Sequence, residues 1–446
     1  MRKFLLLSGV FFGLICGSAR AEYYRQPGTR VVSRTVTANY VRPLPRKETQ
    51  HPRYTLGLDV GRNHLDLEKE GNFKYKSIAE TEYNFFKPTL GFRFNKKVGM
   101  YFFYRHSAII DEHTDKLMYT SLIQNRDYYN PVQASVSINQ YPRYWHGYQV
   151  ILRPLTVIFQ VQELRYLGMY VFHLLFFCSA WLMAKKLKPS IAFCYVAAVT
   201  SGYIVFLPVC FQFFTTFLVL FGALIVLLTR YEKDSTMNLI LYFFVVGMVE
   251  NFFDFLTYPI ITLGIPLIVL LWLKIRDESA DLIENMIFTV KSSVSWGLGY
   301  ALTWIAKWGI ATVVLGVRYF WRTMSVVQYR LEGSEEEPLD RIGTLQKNLK
   351  AWMNVQDNGI ISWSKVVIVL LLIVIVLILV RKLKDQKTVL ASLPIGIVAL
   401  YPYIWYLVMS NHSQIHYWYT YRAQVLTMFG ILVFVVNILK EKKTSA

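Results

Sequence analysis

Residues 238–273 read NLILYFFVVGMVENFFDFLTYPIITLGIPLIVLLWL. The stretch is too long for one membrane-spanning helix, which needs about 20 residues. Tyr258-Pro259 supplies the break, because proline has no N–H to donate and its ring crowds the preceding turn. The stretch therefore reads as two spans, 238–254 and 257–273, joined as a tight helical hairpin. Glu250, Asn251 and Asp254 fall at the end of the first span. A carboxylate that deep in a membrane segment is costly, which makes it a functional candidate by default. The competing reading is that Asp254 pairs structurally with a nearby Lys or Arg at the helix end.

The same pattern continues on both sides. Further apolar runs at 166–183, 191–208, 211–229, 294–316, 365–380, 389–409 and 422–438 bring the expected spans to nine, with Pro208 separating two of them. The fold class expected is mainly α, a polytopic membrane helix bundle, with a small antiparallel β segment near the N-terminus. Composition agrees: hydrophobic residues make up 54 % of the 446 and charged residues only 17 %, against about 25 % charged in a soluble domain. The net charge of +19 sits in short clusters between apolar runs, as cytoplasmic loops require, and no basic patch alternates with base-stacking aromatics. Nucleic acid is therefore not an expected partner. Lys185, Lys186 and Lys188, then Arg381, Lys382, Lys384 and Lys387, then Lys440, Lys442 and Lys443 all lie inside under one orientation. That orientation puts 22–165, the turn at 254–259, the long loop 317–364 and 410–421 outside. Cys16, Cys178, Cys194 and Cys210 lie in apolar stretches without metal-ligand spacing and read as small buried hydrophobes.

The front of the chain is different. Residues 1–21 have a basic start, a short apolar core and Ala19-Arg20-Ala21, a fit to a cleavable signal peptide. Residues 22–52 read as a linker. Within the strand-rich segment 53–108, Tyr54, Leu56, Leu58 and Val60 alternate on one face, and Thr89–Tyr104 reads as a hairpin around Asn95-Lys96-Lys97. A first outward loop, 109–165, then leads into the nine-helix membrane domain, 166–446.

The outward segments carry more polar residues than an anchor needs. Arg143 and His146 flank Trp145; Arg grips phosphate with two parallel N–H bonds, and His relays protons near neutral pH. The alternative for both is an interfacial anchor. Lys307 falls mid-span, where it either neutralises a phosphate as a point charge or pairs with Asp254 or Glu250. Asn411, His412 and His416 lie in SNHSQIH, the two histidines one helical turn apart. With no glutamate of the HExxH kind between them they are a weak metal signal, and an aromatic belt of Trp405, Tyr417, Trp418 and Tyr419 explains them equally well. Arg422 closes the segment.

DEHTDKLMYTS (111–121), YPRYWHGYQVILRP (141–154), FDFLTYPIITLGIPL (253–267) and PYIWYLVMSNHSQIHYWYTYR (402–422) resemble a group of polytopic membrane proteins of Firmicutes that is similar in layout to the GT-C superfamily of membrane glycosyltransferases. The resemblance covers residues 109–446. It implies a polyprenyl-phosphate sugar donor and an acidic base in the first outward loop, at Asp115 or, in second place, Asp111. Residues 1–108 resemble the start of a bacterial outer-membrane β-barrel protein, so the two parts read as pieces of two different proteins. The function expected is transfer of a sugar from a lipid-linked donor to an extracytoplasmic acceptor, in the bacterial cytoplasmic membrane. Asp115, Asp254 and His146 are the catalytic candidates, and Arg143, Lys307, Asn411, His412, His416 and Arg422 the substrate-binding ones. No metal ligand is assigned, although a divalent metal is compatible with such chemistry. Partners are the lipid-linked sugar and membrane lipids; the oligomeric state is left open. Two alternatives stand beside this reading: a non-catalytic transporter or lipid-handling protein, and an outer-membrane fragment fused to an inner-membrane protein.

Overall fold

A computed structural model of the chain describes residues 118, 143–159, 161–202, 207, 211–231, 236–277, 281–333, 338–353 and 383–439. The expected signal peptide, linker, strand segment, Asp111, Asp115 and the span at 365–380 lie outside the described residues. Among the described residues the chain is helical, and the one β feature is an isolated antiparallel bridge between Leu383 and Leu439.

The helices are α1 (Tyr148–Leu155), α2 (Val161–Lys186), α3 (Pro189–Ser201), α4 (Phe211–Arg230), α5 (Thr236–Phe253), α6 (Ile260–Asp277), α7 (Leu282–Leu315), α8 (Arg318–Glu332), α9 (Arg341–Met353), α10 (Gln386–Ala399), α11 (Tyr401–Val408), α12 (Ser410–Ile415), α13 (Tyr417–Thr420) and α14 (Gln424–Ile438). Six stretches are long and apolar enough to cross a membrane: Glu163–Lys186, Phe211–Arg230, Thr236–Phe253, Leu282–Leu315, Gln386–Val408 and Tyr417–Ile438. The chain thus has the helices of an integral membrane protein. The run read at 191–208 corresponds to the shorter apolar helix Pro189–Ser201.

Burial sorts these helices into centre and periphery. Every residue of α6 from Ile260 to Lys274 is buried, as a helix that is hydrophobic all round must be when it occupies the middle of a bundle. Around it, 72 % of the α4 window is buried but only 22 % of the α7 window. The exposed side of α7 carries Ile287, Val290, Val294, Leu298, Leu302 and Ile305, an apolar stripe that water does not favour and lipid does.

The closest helix–helix approach is between α5 and α7. A Cβ on Gly247 would run into the Trp296 carbonyl, and one on Gly299 into the Phe244 carbonyl. Without an apolar-versus-water difference to drive association in lipid, contact between small residues is what lets two backbones come this near. This contact sets the position of Tyr300, one residue beyond Gly299, against the end of α5.

The segment expected as a loop at 317–364 contains the helices α8 and α9. They are polar helices that cover the stretch 410–423. Asn411 donates through Nδ2 to the Tyr329 carbonyl at 2.7 Å, and Asn348 through Nδ2 to the Ser413 carbonyl at 3.1 Å. Thr420 donates to Asn348 Oδ1 at 2.7 Å. These helices are too polar to read as spans, and side-chain hydrogen bonds between distant residues tie them to the bundle.

Candidate functional site

Helix α5 ends at Phe253 and α6 begins at Ile260, and the six residues between them form the centre of the site. Asp254 closes α5, its N–H donating to the Glu250 carbonyl at 2.8 Å. Its carboxylate then takes the next turn in hand. The Thr257 N–H donates to Oδ1 and Oδ2 at 3.1 and 3.0 Å, and the Thr257 hydroxyl to Oδ1 at 2.5 Å. Asp side chains favour such turns because they satisfy backbone N–H groups that the ending helix cannot. Leu256, in the middle of the turn, has φ +64°, a left-handed conformation that costs a residue with a side chain of this size about 1–3 kcal/mol. His412 holds it there: Nε2 donates to the Leu256 carbonyl at 2.6 Å.

Each residue of the turn faces a different element. Phe255 packs against Tyr144, His146 and Tyr148, at ring-centroid separations of 5.5, 5.4 and 5.7 Å. Leu256 meets His412. Thr257 meets Thr216 of α4, and Tyr258 donates its hydroxyl to the Phe213 carbonyl. Asp254, His146 and His412 are thereby brought to one turn of the chain.

Glu250 and Asp254, four residues apart, lie on the same face of α5. The Thr216 hydroxyl reaches both, at 2.8 Å from Glu250 Oε1 and 3.2 Å from Asp254 Oδ1, and lies 3.1 Å from the Thr257 hydroxyl. Both acids are buried, Glu250 completely. Burial pushes the Asp254 carboxyl up to about 6, while the Thr257 hydroxyl and N–H, the Phe255 N–H and the Thr216 hydroxyl pull it down. Tyr300 of α7 hydrogen-bonds the Asn251 side chain and interacts electrostatically with both acids and with Tyr144. Among the described residues no ion pair joins Glu250 or Asp254 to a Lys or Arg, and the helix-end pairing considered for Asp254 is not present there. The Lys307 ammonium instead stands 5.4 Å over the Trp145 ring.

The strap 143–148 crosses the end of α5 and the middle of α7. Its Gly147 N–H donates to the Phe252 carbonyl at 3.0 Å, and Trp145 Nε1 to the Thr303 carbonyl at 2.8 Å. Trp304 Nε1 reaches the Arg143 carbonyl at 3.0 Å. This strap carries Arg143, His146 and, beneath it, Lys307. His146 has φ +55°, the second side-chain-bearing residue at this end in the left-handed region.

Arg422 lies on the opposite side of the turn, buried between Tyr421 and Phe213, with Cζ 4.9 and 5.4 Å from their ring centroids. Nε donates to the Gly202 carbonyl at 3.2 Å, and Nη1 is buried without an acceptor among the described residues. Phe213 also touches Trp418 and Tyr419, at 5.6 and 5.3 Å. The Tyr419 ring lies 5.2 Å from His416 and its hydroxyl is 3.4 Å from His412 Nε2. Phe213 and Thr216 are three residues apart on α4, so the guanidinium side and the carboxylate side are separated by about one helical turn of one helix. Among the described residues no group of three His, Cys, Asp or Glu side chains is placed to hold a metal ion.

The structure brings Asp254, His146, His412, His416 and Arg422 to one end of the bundle around residues 254–258. Asn411 belongs to the same end but binds α8. Arg143 and Lys307 lie on the strap, beyond Phe255. Sequence reading missed Thr216, Thr257 and Tyr300. Thr257 had a local signal, an Asp three residues before it; Thr216 and Tyr300 had none, since their partners are far away in the chain. Compared with family models, with curated proteins and with solved structures, the chain finds no match.

Proposed function

We propose that this end of the bundle is the reaction centre of a membrane glycosyltransferase of GT-C type, facing outward from the bacterial cytoplasmic membrane and using a polyprenyl-phosphate sugar donor. The observation that carries the reading is the pair of opposite charges flanking the first turns of α4: a buried guanidinium with an open Nη1 against Phe213, and buried carboxylates on Thr216. An inverting transfer needs both. Asp254 takes the proton of the acceptor hydroxyl, the acceptor oxygen forms its bond to the anomeric carbon, and the carbon–oxygen bond to phosphate breaks with its electron pair leaving on the phosphate. Arg422 stabilises that developing charge, and low dielectric strengthens the interaction. His412 acts by holding the Leu256 carbonyl, and so the turn that aims Asp254.

The full chain, purified and reconstituted with a panel of lipid-linked sugars, is expected to release polyprenyl phosphate, with release lost in Asp254→Asn. Vesicles that move the lipid-linked sugar across the bilayer without releasing polyprenyl phosphate would replace this reading with the transporter one.

A further inference from the structure

We infer that Glu250 and Asp254 hold a single exchangeable proton between them, resident on Glu250, with Asp254 ionised and the Thr216 hydroxyl as the bridge. The inference goes beyond sugar transfer: the proton occupies the pair whether or not a sugar is ever moved.

The asymmetry of the two acids assigns the proton. Asp254 accepts from the Thr257 N–H, from the Thr257 hydroxyl and from the Phe255 N–H. These are fixed donors that suit a negative charge. Glu250 has only the Thr216 hydroxyl, shared with Asp254. Its second oxygen, Oε2, is fully buried with no donor among the described residues, and the neighbouring Asn251 Oδ1 is likewise buried with no donor among them. An ionised carboxylate with one bare oxygen in a dry site carries a heavy desolvation penalty, whereas a neutral acid leaves only a carbonyl oxygen unsatisfied. Among the described residues, the groups facing the pair add no positive charge. Thr216 comes from α4, Tyr300 from α7, Thr257 from the turn, Tyr144 stands behind Tyr300, and His412 is engaged by the Leu256 carbonyl. The C-terminus of α5 adds the negative pole of the helix dipole at the same place.

The hydrogen inventory points the same way. Thr216, Thr257, Glu250 Oε1 and Asp254 Oδ1 make four close O···O contacts, and the two hydroxyls bring two hydrogens. A proton on Glu250 Oε1 supplies a third and aligns a chain, Glu250 to Thr216 to Asp254. Along it one proton can shift. The Glu250 O–H bond breaks as its proton joins Thr216 Oγ1, and the original Thr216 proton passes to Asp254 Oδ1. Charge moves from one acid to the other, and no oxidant or co-reactant is needed.

Infrared difference spectroscopy on the purified full chain, with H/D exchange, reads the protonated carboxyl directly through its carbonyl stretch. At neutral pH the wild-type chain is expected to show this band, shifted on deuteration. Glu250→Gln should abolish it, Asp254→Asn should retain it, and Thr216→Val should shift its frequency by removing the hydrogen-bond partner. Absence of the band in the wild type, or its survival in Glu250→Gln, overturns the assignment. Because Glu250→Gln is a core substitution, the wild-type band is also measured in Na+, K+ and choline buffers. Equal intensity supports a resident proton; loss of the band in Na+ means that a metal cation takes its place.

Discussion

The two ends of the bundle handle charge in opposite ways. At the end that carries the basic residues, charges are paired, even where one partner, Lys274, is buried. Lys274 Nζ lies 3.1 Å from a half-exposed Glu284 carboxylate, and Arg276 forks onto Asp277 and donates through Nη1 to the Lys186 carbonyl at 2.9 Å. At the Asp254 end, two carboxylates and one guanidinium are buried about one turn apart along α4, with no ion pair between them among the described residues. Paired charge is enough to finish helix ends and bias orientation. Charge held dry and apart does neither, and its cost is sustained only where something is done with it.

The comparison breaks most sharply at Asp254. Asp254→Asn keeps the turn's hydrogen-bonding shape but removes the base. A fall of roughly 10²–10⁴-fold in polyprenyl phosphate release is expected, with an unchanged elution profile showing that the fold survives. Arg422→Lys keeps the charge but loses the fork, and about a 10- to 100-fold loss is expected in the same assay. The pH dependence is smaller. A base works only when ionised, and with the Asp254 carboxyl pushed up to about 6 by burial, the rate should rise with pH through about 6 and fall about tenfold per unit below it. A flat profile between pH 5 and pH 7 would remove Asp254 from the role.

Two further substitutions test structure rather than chemistry. Gly299→Leu forces a side chain into the Phe244 carbonyl. It should lower stability by about 1–3 kcal/mol or more, seen as a lower Tm and, since Tyr300 moves with α7, a weaker hold on the acids. Glu284→Gln at the other end removes a half-exposed partner. Because its partner Lys274 is buried, it should cost about 1–3 kcal/mol and leave release unchanged. An equal effect on release from both ends would erase the distinction between them.

Much of the helical layout was legible in advance, because a bilayer demands about 20 apolar residues per crossing and prolines mark the breaks. The break at Tyr258-Pro259 and the span before it are of this kind; α6 after it, expected as a span, carries Lys274, Arg276 and Asp277 in its last turn and is not among the six membrane-capable stretches. Also legible was the placing of Glu250 and Asp254 at the end of the first of these spans, although their sharing of one helix face was not read from it. The strap at 143–148 was visible as a cluster of aromatic and basic residues, but not as a strap, since its hydrogen bonds go to Phe252 and Thr303 and these are chosen by tertiary packing. The helices α8 and α9 escaped notice for a related reason: their hold on the bundle runs through Asn348, Asn411 and Gln414, polar residues that periodicity does not weigh.

What the sequence by itself determined is a membrane bundle, the places where its helices break, and which residues are too costly to bury without a use. Those follow from local quantities, the length of an apolar run, a missing proline N–H and the position of two acids at the end of a span. Only the tertiary structure decided that Thr216 bridges the two acids, that Tyr300 faces them through the Gly247–Gly299 contact, and that Arg422 lies one turn of α4 away. These are pairings between residues distant in the chain. They depend on how α4, α5 and α7 pack, and no stretch of sequence carries that information alone.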